Sequence, residues 1–348
     1  MIRLCKLLLF AATLILKSEG WSGAEPAMPS SGIIHTADTS GERSERILFS
    51  GLNTRQETYI GKHLTRVIVT GAQSWVAYPA AGRIDDYPQD GKPQPYPAQV
   101  QQGLAFFERH SRPTKALFKG FPCWKYAWHE PERQVGCVGS SAHDVAYWVY
   151  ANPQFPATLK YQPSIGAGDE LLSLQLNCPI AQHLFERPKG LLPIRSFSLP
   201  QAPFSIECQS SRVSTQYGWK ENSTETFKWD RRTLTRTYTS TTIHEDGSKT
   251  TFRPKAETFD QKKGYWEVWG RMASPDSWFT LRKVGHESLL GLSADVLEDL
   301  VLSPNPTEKY WVVNHPVLGT ICLRKITAYP GDTTDSRVVQ INIKVDER

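Results

Sequence analysis

The chain writes one pattern twice, and that repetition limits its fold more than any other feature. YWVYANPQFPATLKY begins at Tyr147 and YWVVNHPVLGTICLR at Tyr310. Tyr, Trp, Val and Pro coincide, and an apolar residue follows two positions after the Pro (Phe155, Leu318). Two further pairs keep the same order: GFPCWKYAW from Gly120 resembles GLSADVLED from Gly291, and HLTR from His63 resembles TLTR from Thr233. Leu64 and Leu234 lie 170 positions apart, Gly120 and Gly291 171, and Tyr147 and Tyr310 163. Three blocks at nearly one offset predict two copies of one unit. A chain of 348 residues with 39% apolar content has enough material for two cores.

The local pattern is that of strands. The 11 Trp and 13 Tyr favour pleated, half-buried positions. TRVIVTG and QSWVAYP read as strands split by a Gly-containing turn. Further strands are expected at Cys123–Trp128, Val145–Tyr150, Ala157–Gln162 and Leu171–Leu176 in the first half. In the second they are expected at Ala294–Leu297, Tyr310–Val313, Thr320–Ile326 and Ser336–Ile343. TLTRTYTSTTIHEDGSKTTFRPK is a hairpin whose turn is Asp246-Gly247. Pro97 opens a helix with Val100, Leu104 and Phe107 on one stripe, and Ser274-Pro275 reads as the start of its counterpart, running into Trp278 and Phe279. In the YWV strands both faces are apolar, so a helix, the other repeat or a ligand covers each. The expected fold is mainly β with short helices (α+β): two similar curved antiparallel sheets, half-open barrels, each with a helical segment.

Residues 1–20 read as an export signal: Arg3 and Lys6, an apolar run from Leu7 to Leu16, then Ser18 and Gly20 before a cleavage site. Residues 21–50 form a flexible leader, 51–178 the first unit, 179–209 a Pro-rich linker that packs, and 210–348 the second unit. Loss of the signal lowers the net charge from +5 to +3. With no Lys/Arg run either, nucleic acid is not an expected partner. Five cysteines then remain in an oxidising compartment. The expected pairs are Cys123 with Cys137 and Cys178 with Cys208, leaving Cys322 spare and buried; spacing does not fix connectivity.

These residues resemble the LolA-like superfamily of outer-membrane lipoprotein-sorting proteins. The resemblance rests on TRVIVTGAQSWVAYPAAG, a helix, the strand from Gly120 or Gly291, the YWV…P hairpin and a last strand of RVVQINI type. It covers roughly residues 55–177 and 230–343. It implies a half-open antiparallel barrel with helices lidding a hydrophobic cavity, which the carriers of the family use to hold acyl chains without covalent chemistry. Such a carrier is a single unit, whereas this chain reads as two in tandem. Arg66 and Arg236, at matching repeat positions, are the candidates for the arginine that a carrier places in its cavity.

A catalytic set does not assemble from the sequence. The nine His form no HxH, HExxH or CxxC-associated motif. His129-Glu130 and His143-Asp144 are adjacent pairs whose members point to opposite faces of a strand. Ser140-Ser141 lack a GxSxG elbow, Asp85-Asp86 reads as a solvated turn, and Asn222-Ser223-Thr224 matches a glycosylation acceptor. No enzyme, metal or cofactor is expected. The expectation is an exported envelope protein, periplasmic in a Gram-negative cell and otherwise secreted. It binds a lipid, an acyl chain or a lipidated partner on a concave sheet, with peripheral membrane contact. The candidate ligand residues are Arg66, Trp75, Phe107, Trp124, Trp148, Arg236, Trp278 and Trp311. The alternative is a structural or protein-interaction module with a filled core.

Overall fold

Alternation of apolar and polar residues turns most of this chain into strands with one face inside. In HLTRVIVT, Thr65, Val67 and Val69 are buried and their neighbours are not; in WKENSTETFKW, Glu225, Phe227 and Trp229 are. The computed structural model describes residues 27–88, 92–131, 133–135, 138–200, 202–275, 277–300 and 307–343. The expected signal segment therefore lies outside the described residues. The chain divides into two compact units, one comprising the residues up to Val76 and Asp86–Lys189, the other Ala77–Asp85 and Gly190–Arg348.

The strands preceding the first helix are β1 (Ser31–Asp38), β2 (Arg43–Ser50), β3 (Asn53–Ile60), β4 (His63–Thr70), β5 (Trp75–Tyr78) and β6 (Arg83–Asp86). Helix α1 (Tyr96–His110) follows. After it come β7 (Thr114–Phe118), β8 (Phe121–Glu130), the small hairpin β9 (Arg133–Val135) and β10 (Val138–Ser140), β11 (His143–Tyr150), β12 (Thr158–Pro163) and β13 (Asp169–Leu176). The later strands are β14 (Leu192–Pro193), β15 (Phe204–Ser214), β16 (Trp219–Trp229), β17 (Thr233–Ile243), β18 (Lys249–Phe252) and β19 (Glu257–Asp260). Helix α2 (Gln261–Met272) precedes β20 (Leu281–Leu289), β21 (Leu292–Asp299), β22 (Thr307–His315), β23 (Gly319–Tyr329) and β24 (Asp332–Ile343).

Two large sheets result, of 12 and 10 strands, and neither closes into a barrel. Within the first unit the order is β4-β3-β2-β1-β13-β12-β11-β8-β7; in the second sheet it is β18-β17-β16-β15-β24-β23-β22-β21-β20. Both follow one plan. A meander runs outwards from a first strand, a helix follows, and a second meander returns until its last strand pairs antiparallel with the first. The YWV strands β11 and β22 are each third in the sheet after the helix, and the blocks from Gly120 and Gly291 form β8 and β21, each second. The HLTR block does not fit. It opens β4, three strands along from β1, whereas TLTR opens β17, two strands along from β15.

The turn at Asp246-Gly247 forms as expected: Gly247 has φ +79°, which a side chain resists, and Ile243 pairs with Lys249 across it. Three expectations are corrected. The presumed leader contains β1 and β2; charged residues interrupt the apolar ones of RSERILFS, so its composition resembles a tail. The presumed linker contains β14 and the start of β15; it does pack, as expected, burying Phe185 and Phe197. The second helix ends before Ser274. Its cap is Asp260, whose carboxylate accepts the Lys263 N–H, and Trp278–Thr280 is only a 3-10 turn. Gly264, Val268 and Met272 form its buried stripe, and the glycine hides that period from a hydrophobicity reading.

The cysteine pairing is also corrected. Cys123, Cys178, Cys208 and Cys322 are free thiols. Cys123 is fully buried, and the residues facing it across the ladder are Ala116 and Tyr150; Cys137 lies outside the described residues. Cys208 points into the core with Phe204, Phe227 and Trp229, whereas Cys178 follows the end of β13 and is only half-buried. Burial pushes the Cys123 thiol up to about 11 and those of Cys208 and Cys322 up to about 12.

The excursion Ala77–Asp85 belongs to the second unit for a visible reason. Ala81 packs with Trp278, Leu281 and Leu297, and Arg83, 1% exposed, ion-pairs with the buried Asp295 at 2.7 Å. Lys283 and His286 also reach Asp295, at 2.7 and 3.0 Å, and the Arg83 guanidinium lies 5.7 Å from the Trp278 ring. The Nε and Nη1 of Arg83 have no hydrogen-bond partner, so Asp295 is what compensates the buried cation. Asp295→Ala is therefore expected to cost about 3–5 kcal/mol in urea unfolding; a loss below about 1 kcal/mol would contradict this account. Thiol labelling of the native protein, mapped by mass spectrometry, is expected to modify Cys178 and to spare Cys123, Cys208 and Cys322 until denaturant is added. A linked Cys178–Cys208 peptide would overturn the assignment.

Candidate functional site

Helix α1 lies on the first unit's sheet through Tyr96, Val100 and Phe107, with Leu104 beside them. The stripe has a gap. Position 103, between Val100 and Phe107 on the same face, is glycine, and a Cβ built there meets nothing within 4 Å. One helix is about 10 Å wide and strands lie about 4.8 Å apart, so a single helix covers only part of so wide a face. What remains uncovered is a cavity of 640 Å³.

Its walls come from both ends of the unit's sequence. β1 and β2 supply Ile34 and Ile47, the helix supplies Tyr96, Val100, Gly103 and Phe107, and β11 and β12 supply Tyr147 and Tyr161. The aromatic rings interlock: Phe107 lies 5.1 Å from Tyr147, and Tyr147 4.8 Å from Tyr161. Burial pushes the Tyr147 phenol up to about 12 and raises those of Tyr96 and Tyr161. These tyrosines are therefore uncharged walls at neutral pH. Charge is confined to one edge, where Asp38, Arg43, Glu45 and Asp169 line the cavity. Arg43 ion-pairs with Glu45, and its backbone N–H donates to Asp38 at 3.1 Å. Partial burial, Glu45 and Asp38 push the Asp169 carboxyl up, and Arg43 opposes them.

The second unit fills the corresponding face. On α2 the glycine sits close: a Cβ at Gly264 would meet the Leu234 Cβ at 3.0 Å. Phe197, Trp229, Phe259, Val268, Met272 and Trp311 are buried in one core there, with Tyr265 and Trp269 packed against it. A 180 Å³ space remains, lined by Ser210, Ser223 and Ser336 and by Glu225, whose carboxylate ion-pairs with Arg236 and Arg271. Cys208, Cys322, Leu323 and Val338 also line it, so the lining is mixed, and the space is too small for a lipid tail.

Of the residues singled out from sequence, Phe107 lines the larger cavity. Trp124 packs behind it with Tyr126 and Val149. Trp148 points to the opposite face, where the ammonium groups of Lys125 and Lys160 lie 4.8 and 5.0 Å from its ring. Lysine stems thus cover the outer apolar face of the YWV strand. Trp75 and Trp278 are buried in core positions. Trp311 donates its indole N–H to Glu287 beneath the Arg324 guanidinium. Arg66 donates to Thr58 Oγ1 at 3.3 Å on β4, and Arg236 joins Glu225, Glu257 and Glu267, so neither arginine lines the larger cavity. Pairing of β8 with β11 does what adjacent residues cannot: it sets His129 against Asp144 at 2.9 Å and His143 3.9 Å from Glu130. Among the described residues no group of three or more potential metal ligands assembles. The missed residues Ile34, Asp38, Arg43, Glu45 and Ile47 lie in the stretch read as a leader.

No protein-family model and no curated protein matches the chain. Among solved structures, lipoprotein LppX of Mycobacterium tuberculosis aligns over 51% of this chain and 97% of its own, at 10% identity and a TM-score of 0.26. LprF of Mycobacterium bovis aligns over 41% and 88%, at 11% identity and 0.21. PNGF-II aligns over 92% and 68%, at 8% identity and 0.29. Likeness at these scores assigns this chain no activity.

The gap in the helix stripe can be closed. Gly103→Trp is expected to fill the cavity and, by replacing a helix-interior glycine, to leave thermal stability unchanged or higher by about 0.5–1 kcal/mol. A fall of more than about 2 kcal/mol in an unfolding titration would mean that the space under the helix is already occupied by protein atoms.

Proposed function

We propose that this is an exported, non-enzymatic protein that holds a lipid, an acyl chain or a lipidated partner in the cavity of its first unit, in the manner of a carrier. The observation that carries this reading is the partly open 640 Å³ space beside α1, with aromatic and aliphatic walls and one charged edge. It falls within the range of about 300–1,000 Å³ usual for small-molecule sites. Each methylene moved from water into such a space contributes about 0.8 kcal/mol, so burial of a tail supplies the affinity without any covalent step. The export signal read at residues 1–20 places the protein in the envelope or outside the cell. On this reading the two units are tandem LolA-like copies. The first has kept its cavity, and the second has filled its own and serves as scaffold.

That asymmetry makes the reading quantitative: one guest per chain, not two. The full chain purified without detergent is expected to yield lipid on organic extraction. After delipidation it is expected to bind a fluorescent fatty-acid probe saturably at one per chain, and Gly103→Trp is expected to abolish that binding. An empty extract together with no saturable probe binding would eliminate the carrier reading. It would favour the second one, a secreted structural or interaction module, which the filled core of the second unit already suits.

A further inference from the structure

The edge of the first-unit cavity is charged in a way that a fatty acid does not explain. Three carboxylates line it, from Asp38, Glu45 and Asp169, and the one cationic side chain among the lining residues is Arg43. Arg43 is already engaged with Glu45. Asp38 and Asp169 face each other directly across the β1–β13 ladder. Like charges in that position destabilise a sheet, and among the described residues Asp169 has no ion-pair partner. Asp38 has a local task, accepting from Ser40 Oγ at 2.9 Å and from the Arg43 N–H. No such task falls to Asp169. Asp169 stands opposite Tyr161 across the β12–β13 ladder, Tyr161 lies 4.8 Å from Tyr147, and Phe106 and Phe107 line the cavity on the helix side. Carboxylates beside aromatic rings, at the edge of a space with apolar walls, suit an ammonium group.

We propose that the cavity selects amphiphiles whose polar end is cationic: a hydrocarbon tail under α1 and an ammonium group at the Asp38–Asp169 edge. The inference rests on the cavity being a ligand site, and it adds the head-group chemistry to that reading. A carboxylate or phosphate monoester head would meet a net negative edge, three carboxylates against Arg43 alone.

Three ligands with one twelve-carbon tail separate the two ideas: dodecylammonium, dodecanol and laurate. Each is titrated below its aggregation concentration into the delipidated full chain at low ionic strength, by displacement of a neutral fluorescent probe. Dodecylammonium is expected to bind about tenfold more tightly than dodecanol, with laurate weakest. The advantage is expected to shrink towards unity in 0.5 M salt. Asp169→Asn, and Asp169→Asn combined with Asp38→Asn, are expected to bring dodecylammonium close to dodecanol. Equal binding of all three, still abolished by Gly103→Trp, would overturn the head-group inference and leave the cavity reading standing, as would a preference for laurate. Binding of none would remove both. The salt series needs no variant, so misfolding of a substituted chain leaves the inference open to refutation.

Discussion

Everything in these sheets depends on one long-range pairing made twice: the last strand of a unit returns to the first. β13 pairs with β1 from Gly32 opposite Leu176 to Asp38 opposite Asp169, and β24 pairs with β15 along its whole length. Until that ladder forms, each meander is a ribbon with an unpaired edge and no covered face. Once it forms, strands from opposite ends of the unit are neighbours and share one broad face, and the helix between the meanders is the element placed to cover it. Because the outer strands do not meet, the sheet stays open and the helix cannot cover it alone. The pairing therefore creates the surface that each unit must either fill with side chains or leave open. Contacts so distant in sequence also make the topology slow to assemble.

Two glycines show how the units took different courses from one plan. At Gly264 the missing side chain lets α2 approach Leu234 and Trp229, and the core closes around it with the tryptophans of the second half. At Gly103 the missing side chain faces open space, at the cavity that Ile34, Ile47, Tyr147 and Tyr161 also line. The same residue shortens a contact in one unit and leaves a void in the other.

The sequence made visible whatever depends on neighbours in the chain. The strands of the YWV blocks, the Asp246-Gly247 turn and the stripe of α1 follow from periods of two or of three to four residues, and they stand where those periods put them. What depended on pairing was not visible. β1 and β2 look like a tail because charges, Arg43, Glu45 and Arg46 among them, dilute their apolar residues; only the ladder with β13 gives them an inside. The His129–Asp144 contact needs the β8–β11 register, which no local pattern specifies. The cavity suffers from both effects, since its walls come from β1, β2, α1, β11 and β12 and its defining feature is an absent side chain. Tryptophans drew attention because they are large, but large residues mostly fill space, and this site is made where none stands.

The buried charges of the first unit explain why the cavity edge has an uncompensated field. On β2, Glu45 and Ile47 face the cavity, so Arg46 between them faces away, and Glu57, directly opposite Arg46, does too. There Glu57 accepts from Arg46 and Arg55, each at 2.7 Å, and from Tyr59 at 2.9 Å. Burial opposes its ionisation, but these donors outweigh it and hold the carboxyl below the usual range. The guanidinium groups of this region are thus committed to the far face, and one of them, Arg55, is also tied to the Leu184 carbonyl. Only Arg43 is left to balance Asp38, Glu45 and Asp169. The sheet itself separates the two sets of charges, and moving Arg46 to the other side would require a register slip that also turned Ile47 out of the cavity. The acidity of the edge is therefore coupled to the apolarity of the walls by the strand alternation that builds both.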